Sequence, residues 1–166
     1  MRILTVVHGY PPRETAGTEQ HAHQLVEALK RRGHQLHVVA ATRAPGQPQY
    51  ALVEQDGITR IVNNVAGRPL AWAERDRTIE GIVERVAARF GPDVVHVQHV
   101  QFLSVGLRFS VPYLVTLHDG WAWCASGGTN LLPDHTPCPG PEPERCADCY
   151  GQWRPRVGWR ERLLIR

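Results

Sequence analysis

The stretch MRILTVVHGYPPRETAGTEQHAHQLVEALKRRGHQLHVVAA, residues 1–41, decides the fold. Ile3, Leu4, Val6 and Val7 form a near-continuous apolar run, the signature of a strand buried on both faces, and Gly9 with Pro11-Pro12 ends it. A polar loop over 10–17 then leads into a helix expected from about Thr18 to Arg32. On that helix Ala22, Leu25, Val26 and Leu29 recur at i, i+3, i+4 and i+7, a stripe that must face a core. Lys30, Arg31 and Arg32 complement the negative end of the helix dipole, and Gly33 suits a left-handed cap. His34 to Ala41 reads as a second strand. Strand, helix and strand in this order make a βαβ unit, whose crossover is right-handed and whose strands are parallel.

Farther along, Tyr50 to Val53 and Ile58 to Val62 read as two short strands around an Asp56-Gly57 turn. Ile79, Ile82, Val83, Val86, Ala87 and Phe90 keep helical spacing until Gly91-Pro92 stops them. Val94 to Val97 is a further buried strand, Gln101 to Phe109 is expected as a short helix, and Pro112 to Leu117 as another strand. This alternation predicts an α/β fold, a Rossmann-like doubly wound parallel sheet over residues 1–118. Residues 119–152 differ in character: they hold all four cysteines and five prolines between 133 and 143, with no periodicity. They are expected to be a Cys-rich loop insertion, neither helix nor strand. Residues 153–166 read as a basic terminal helix.

The chain has 166 residues, 42% of them hydrophobic and 21% charged, which suits one globular domain and argues against wholesale disorder. Its formal charge of +3 is too small to imply nucleic-acid binding. The excess lies at the end, where Arg154, Arg156, Arg160, Arg162 and Arg166 face only Glu161. Such a tail suits either a solvated helix or peripheral contact with an anionic membrane face. No apolar run reaches a membrane span, and the first apolar stretch is too short for a secretory leader, so the expected compartment is the cytoplasm.

In an open parallel sheet, ligands bind beyond the carboxyl ends of the strands. His8-Gly9-Tyr10, Gln98-His99 and His118-Asp119 all fall at that edge. His96 lies within its strand and reads as a core histidine. His99 suits a structural or a binding role equally, whereas His118, ending an apolar strand, reads as functional. The loop Arg13 to Glu19 runs into a helix N-terminus whose free N–H groups attract phosphate, and Ala16, Gly17 and Thr18 sit at its mouth. There is no G-x-G-x-x-G and no Walker lysine, which counts against dinucleotide dehydrogenases and P-loop nucleotidases.

Cys124, Cys138, Cys146 and Cys149 are the most specific chemical signal. Four thiols in a segment unable to build a core favour a structural tetrahedral zinc site. Reduced free cysteines, a redox disulfide between Cys146 and Cys149, and an iron–sulfur cluster are the alternatives. Trp121, Trp123, Tyr150 and Trp153 bracket the segment and suit either local packing or stacking on a sugar or base.

The strings Ala16-Gly17-Thr18-Glu19-Gln20-His21, Leu29-Lys30-Arg31-Arg32-Gly33-His34, Pro92-Asp93-Val94-Val95-His96-Val97 and Thr116-Leu117-His118-Asp119 occur in an order that resembles one arrangement. It is the N-terminal, acceptor-side domain of family-4-like glycosyltransferases of the two-domain GT-B fold. The Cys-Pro-Gly-Pro segment at 138–141 is similar to a variant of part of that family. The resemblance covers about residues 1–150.

What it implies is transfer of a sugar from a nucleotide-sugar donor to an acceptor with retention of configuration. It places the Gly17 loop near the donor phosphates, and it assigns His118 a contact with the donor sugar as the catalytic residue. Arg13, Ala16, Gly17, Thr18, His99 and Asp119 are the expected substrate and phosphate contacts. No catalytic metal is expected, since Asp-x-Asp is absent.

Two departures stand out. Ala16 replaces a second glycine that is usual in the family. The family's donor-binding domain with its Glu-x7-Glu does not follow before Arg166, and Glu19 and Glu27 match that spacing only by coincidence. The expectation is therefore half of an enzyme, inactive alone and dependent on a donor domain in cis or in trans. A non-catalytic zinc-stabilised binding module and a redox protein are the rival readings.

Overall fold

The computed structural model describes residues 1–64, 75–124 and 126–153. Strands β1 (Arg2–Val7), β2 (Gln35–Thr42), β3 (Leu52–Gln55), β4 (Ile58–Val62), β5 (Val94–Val97) and β6 (Tyr113–Val115) form one sheet in the order β3-β4-β2-β1-β5-β6. Every neighbouring pair is parallel except β3 with β4. Helices α1 (Gly17–Arg31) and α2 (Arg77–Phe90) connect the parallel strands, giving the expected α/β, Rossmann-like architecture. The chain divides into two compact units, Met1–Thr116 and Leu117–Arg166.

The first unit is built by alternation across the sheet. Leu4 and Val6 of β1 join Val39 and Ala41 of β2 on one face, where Ile79, Ile82, Val83 and Val86 of α2 cover them. Val7, Val38 and Ala40 point the other way and meet Ala22 and Val26 of α1. With both faces covered, β1 is buried over five consecutive residues, which is why its sequence is a near-continuous apolar run interrupted only by Thr5. At the sheet's end β6 is exposed along its whole length.

Local chemistry fixes the helix boundaries. Asp76 accepts from the backbone N–H groups of Thr78 and Ile79 (3.0 and 3.1 Å) and starts α2; Gly91, at φ +60°, ends it. Gly33, at φ +82°, closes α1 as expected. Asp56 and Gly57, at φ +50° and +76°, form the left-handed pair that a two-residue hairpin between β3 and β4 requires.

Two expectations are corrected. Residues 101–109 are turns, not a helix. Phe102 adopts φ +61°, and the Ser104 hydroxyl accepts from the N–H groups of Asp76 and Gly106 (3.0 and 3.1 Å) while donating to Glu80 (2.8 Å). The segment thus spends its hydrogen bonds on the start of α2 rather than on a helix of its own. Within 119–152, helix α3 (Pro143–Trp153) contradicts the expectation of an unbroken loop. Glu142 accepts from the N–H groups of Glu144 and Arg145 (3.2 and 2.9 Å), and Pro143 opens the first turn where a missing donor costs nothing. The terminal helix expected over 153–166 lies, apart from Trp153, outside the described residues.

Candidate functional site

A cavity of about 330 Å³ opens at the carboxyl edge of the sheet in the first unit. Its walls come from the ends of three strands and two following turns: His8 after β1, Ala41, Thr42 and Arg43 at the end of β2, Asn63 after β4, Phe102, and the helix residue Glu19 with Glu14 from the loop before it. Glu19 is only 4% exposed, at the head of the stripe that continues through Ala22 and Val26. His8 Nε2 lies 2.9 Å from Glu19 Oε1, a distance at which the ring N–H donates to the carboxylate. The other carboxylate oxygen, Oε2, is buried without a hydrogen-bond partner among the described residues. A buried acceptor left unsatisfied is costly, and a ligand hydroxyl in the cavity is a natural donor to it.

The neighbouring groups are held in place. Glu14 accepts from the Thr42 hydroxyl (2.7 Å) and from the Tyr10 N–H (3.3 Å). The His99 ring packs edge-on to that of His8, centroids 4.8 Å apart, and its Nδ1 accepts from the Gln101 N–H (3.1 Å). Asn63 is committed to the fold, donating to the Phe102 carbonyl (2.7 Å) and accepting from Gln49 (2.7 Å). A Cβ on Gly9 would lie 2.8 Å from Glu14 Cβ and 3.0 Å from Glu19 Oε1, so only glycine lets the two acids approach this turn. Buried Tyr10 lines up with His23 (Oη to Nδ1, 3.2 Å); burial above all, with the charge of Glu27, pushes its hydroxyl up to about 12.

The residues expected to bind phosphate lie beside this cavity in sequence but differ in character. Arg13, Ala16 and Gly17 are exposed and Thr18 is half-buried. Ala16 is the N-cap of α1 and offers no side-chain hydrogen bond, and a Cβ on Gly17 would meet nothing within 4 Å. The first turn of α1 therefore lacks a side-chain cap. His96 is a core residue, with Nε2 2.8 Å from the Thr116 hydroxyl, and Gln98 lies beside it. The spaced pair Glu19 and Glu27 does not share a site: Glu27 accepts from Lys30 (2.9 Å) on the outer face of α1.

His118 and Asp119 belong to the second unit. His118 is half-buried, and Asp119 Oδ1 accepts from the Trp121 N–H (2.8 Å), folding the chain into a tight turn toward Cys124. All four cysteines, half-buried and free of disulfides, line a second cavity of about 240 Å³. Among the described residues, no three His, Cys, Asp or Glu side chains stand at metal-ligand spacing as they are oriented. Burial, followed by the charges of Cys124, Cys138 and Cys146, pushes the Cys149 thiol up. For Cys124 burial acts in the same direction but is outweighed by hydrogen bonds from Ser126 and from the backbone at Asn130, Ser126 and Gly128, which hold the thiol below its usual value.

Sequence reading missed Glu14, Glu19 and Arg43 as cavity residues. The signal for Glu19 was available: it occupies the first position of the apolar stripe, three residues before Ala22 and seven before Val26.

No curated protein sequence matches the chain. The family model of Glycosyltransferase Family 4 matches residues 15–163, from the loop before α1 through α3 and beyond. With nearly its whole length covered by that match, the chain belongs to Glycosyltransferase Family 4.

Proposed function

We propose that this chain is the acceptor-side part of a retaining glycosyltransferase that takes its sugar from a nucleotide-sugar donor and needs a separate donor-binding domain for turnover. The observation that carries the acceptor role is Glu19: a buried carboxylate lining a cavity at the sheet edge, with one oxygen paired to His8 and the other without a hydrogen-bond partner among the described residues. A saccharide or polyol hydroxyl donating to that oxygen satisfies a buried acceptor, and Glu14 and Arg43 supply further contacts. The donor's phosphates suit the uncapped first turn of α1 at Gly17 and Thr18, where N–H groups and the helix dipole favour negative charge, with Arg13 adding a cation.

In this reading His118 touches the donor sugar, and His99 and Asp119 stand as secondary contacts. The leaving nucleoside diphosphate is an anion from the start, so preorganised N–H donors contribute more than a strong protein base. The basic residues 154–166 suit peripheral contact with an anionic membrane face.

The test is isotope transfer from UDP- and GDP-hexoses to a panel of sugar and polyol acceptors, paired with calorimetric titration of the acceptors. The chain alone is expected to bind acceptor weakly and transfer nothing. Glu19→Ala is expected to weaken acceptor binding about tenfold, the loss of one charge-assisted hydrogen bond. Robust transfer by the 166-residue chain refutes the need for a second domain, and acceptor binding unchanged in Glu19→Ala refutes the assigned site.

A further inference from the structure

We propose that Cys124, Cys138, Cys146 and Cys149 together hold one zinc ion, and that this ion takes the place of an apolar core in fixing the turn that carries His118 and Asp119. The inference stands independently of the glycosyl-transfer reading, because it rests only on the second unit.

Its first support is convergence. The four sulfurs come from three separate pieces of chain, yet all line one cavity. Cys124 closes a turn in which its N–H donates to the Gly120 carbonyl (2.8 Å). Cys138 is brought back by its N–H to the Asn130 carbonyl (2.9 Å), next to the Leu131–Pro137 bridge. Cys146 and Cys149 sit on α3 three residues apart and so share a helix face.

The second support is the chemistry of the walls. Among the described residues, the acids and histidines of this unit lie outside the cavity lining, so its charged donors are soft sulfur, which suits zinc and not magnesium or calcium. A zinc ion with four thiolates carries a net charge of about −2. Two features answer that charge. Arg145 lines the cavity, donates from Nη2 to the Gly140 carbonyl (2.7 Å), pairs through Nη1 with Glu142 (3.9 Å), and keeps a buried Nε without a partner among the described residues. The Glu142 N–H already points at Cys146 Sγ (3.3 Å), the backbone-to-sulfur bond that stabilises a thiolate ligand.

Binding asks that the four sulfurs converge. Zn–S bonds of about 2.3 Å draw the sulfurs to about 3.8 Å from one another. The thiols now turn elsewhere: Cys124 to the Ser126 hydroxyl (3.0 Å), Cys138 to the Gly140 carbonyl (3.4 Å) and Cys149 to the Leu131 carbonyl (4.0 Å). Rotation about Cα–Cβ exchanges these weak bonds for metal ligation, with each displaced proton going to solvent.

The third support is need. Among the described residues beyond Thr116, Ala147 and Tyr150 are the only buried apolar side chains. The short link from Asp119 through Trp121 to Cys124 means that a metal anchored at Cys124 also sets the geometry of the His118–Asp119 turn.

The experiment is metal analysis of the intact chain purified without chelator and dialysed against metal-free buffer, combined with thiol titration and limited proteolysis. The expected result is one zinc per chain, with thiols silent until a strong chelator is added and four reactive thiols after it. Cleavage within 117–153 should then rise about tenfold, with 1–116 unchanged. Cobalt exchanged for zinc should give the visible band of a tetrahedral thiolate site, and Cys146→Ser should lose both. Since loss of a ligand can itself impair folding, the thiol and metal stoichiometry of the wild-type chain is the deciding reading. Four freely reactive thiols without metal, a Cys146–Cys149 disulfide by mass spectrometry, or iron with inorganic sulfide overturns the proposal.

Discussion

The two units of this chain reach order by different means. In Met1–Thr116, strands and helices bury contiguous apolar faces, and the residues proposed to bind a ligand sit on top of that frame, at the strand ends. In Leu117–Trp153, turns are closed one at a time by backbone and side-chain hydrogen bonds: Asp119 to Trp121, Gly120 to Cys124 and Gly128, Asp134 to Thr136, Glu142 to the start of α3. Gly127 and Gly128, both near φ +90°, allow those turns, and a Cβ on Gly128 would press on the Trp121 N–H and the Asp119 carboxylate. The contrast teaches where each unit is vulnerable. A burial-driven unit fails when an apolar side chain is cut, and a turn-driven unit would fail on loss of a cross-link that gathers its turns, such as the proposed zinc ion.

The largest effect should follow removal of that cross-link. Structural zinc sites contribute on the order of 10 kcal/mol to folding. Chelation is therefore expected to abolish protection across 117–153 and to leave the thermal transition of the first unit within a few degrees, as read by calorimetry. Next is Leu4→Ala in the first unit, where the side chain is fully buried. It should cost about 2–5 kcal/mol in denaturant unfolding with no change in bound metal per folded chain. Asp76→Ala removes the α2 cap and should cost about 1 kcal/mol, again confined to the first unit.

The smallest effect concerns pH. Burial, with help from Arg89, lowers the His37 pKa, so the folded state binds its proton less readily than the unfolded state. The stabilisation this gives is complete above the unfolded value of about 6.5 and is lost as pH falls below it toward the folded pKa. His37→Gln should flatten that part of the stability profile of the first unit.

The same contrast explains what was legible in sequence. β1, α1, β2, α2 and β5 announce themselves because burial on a sheet imposes periodicity on Leu4, Val6, Ala22, Val26, Ile79 and Val83. The hairpin between β3 and β4 was less sharply legible: Asp56-Gly57 marks its turn through backbone sterics, but the first strand, expected at Tyr50–Val53, runs over Leu52–Gln55. Helix α3 was hidden because its buried face carries only Ala147, Tyr150 and Gly151, too sparse a stripe to stand out, and because Pro143 looks like a breaker unless Glu142 is read as its cap. The turns at 101–109 misled in the opposite direction: Phe102, Leu103 and Leu107 are apolar enough for a helix, yet Ser104 binds the start of α2. Glu19 escaped notice because a carboxylate in a helix is ordinarily read as solvated, and only its position on the stripe reveals its burial.

Hydrogen exchange followed by mass spectrometry, on one preparation of the chain with and without a strong zinc chelator, tests the account most directly. It predicts that β1, β2 and β5 exchange slowly and identically in both samples, while 120–153 passes from protected to fast exchange once the metal is withdrawn. Unchanged protection over 120–153, or an equal loss in both units, contradicts the claim that burial orders one unit and ligation the other.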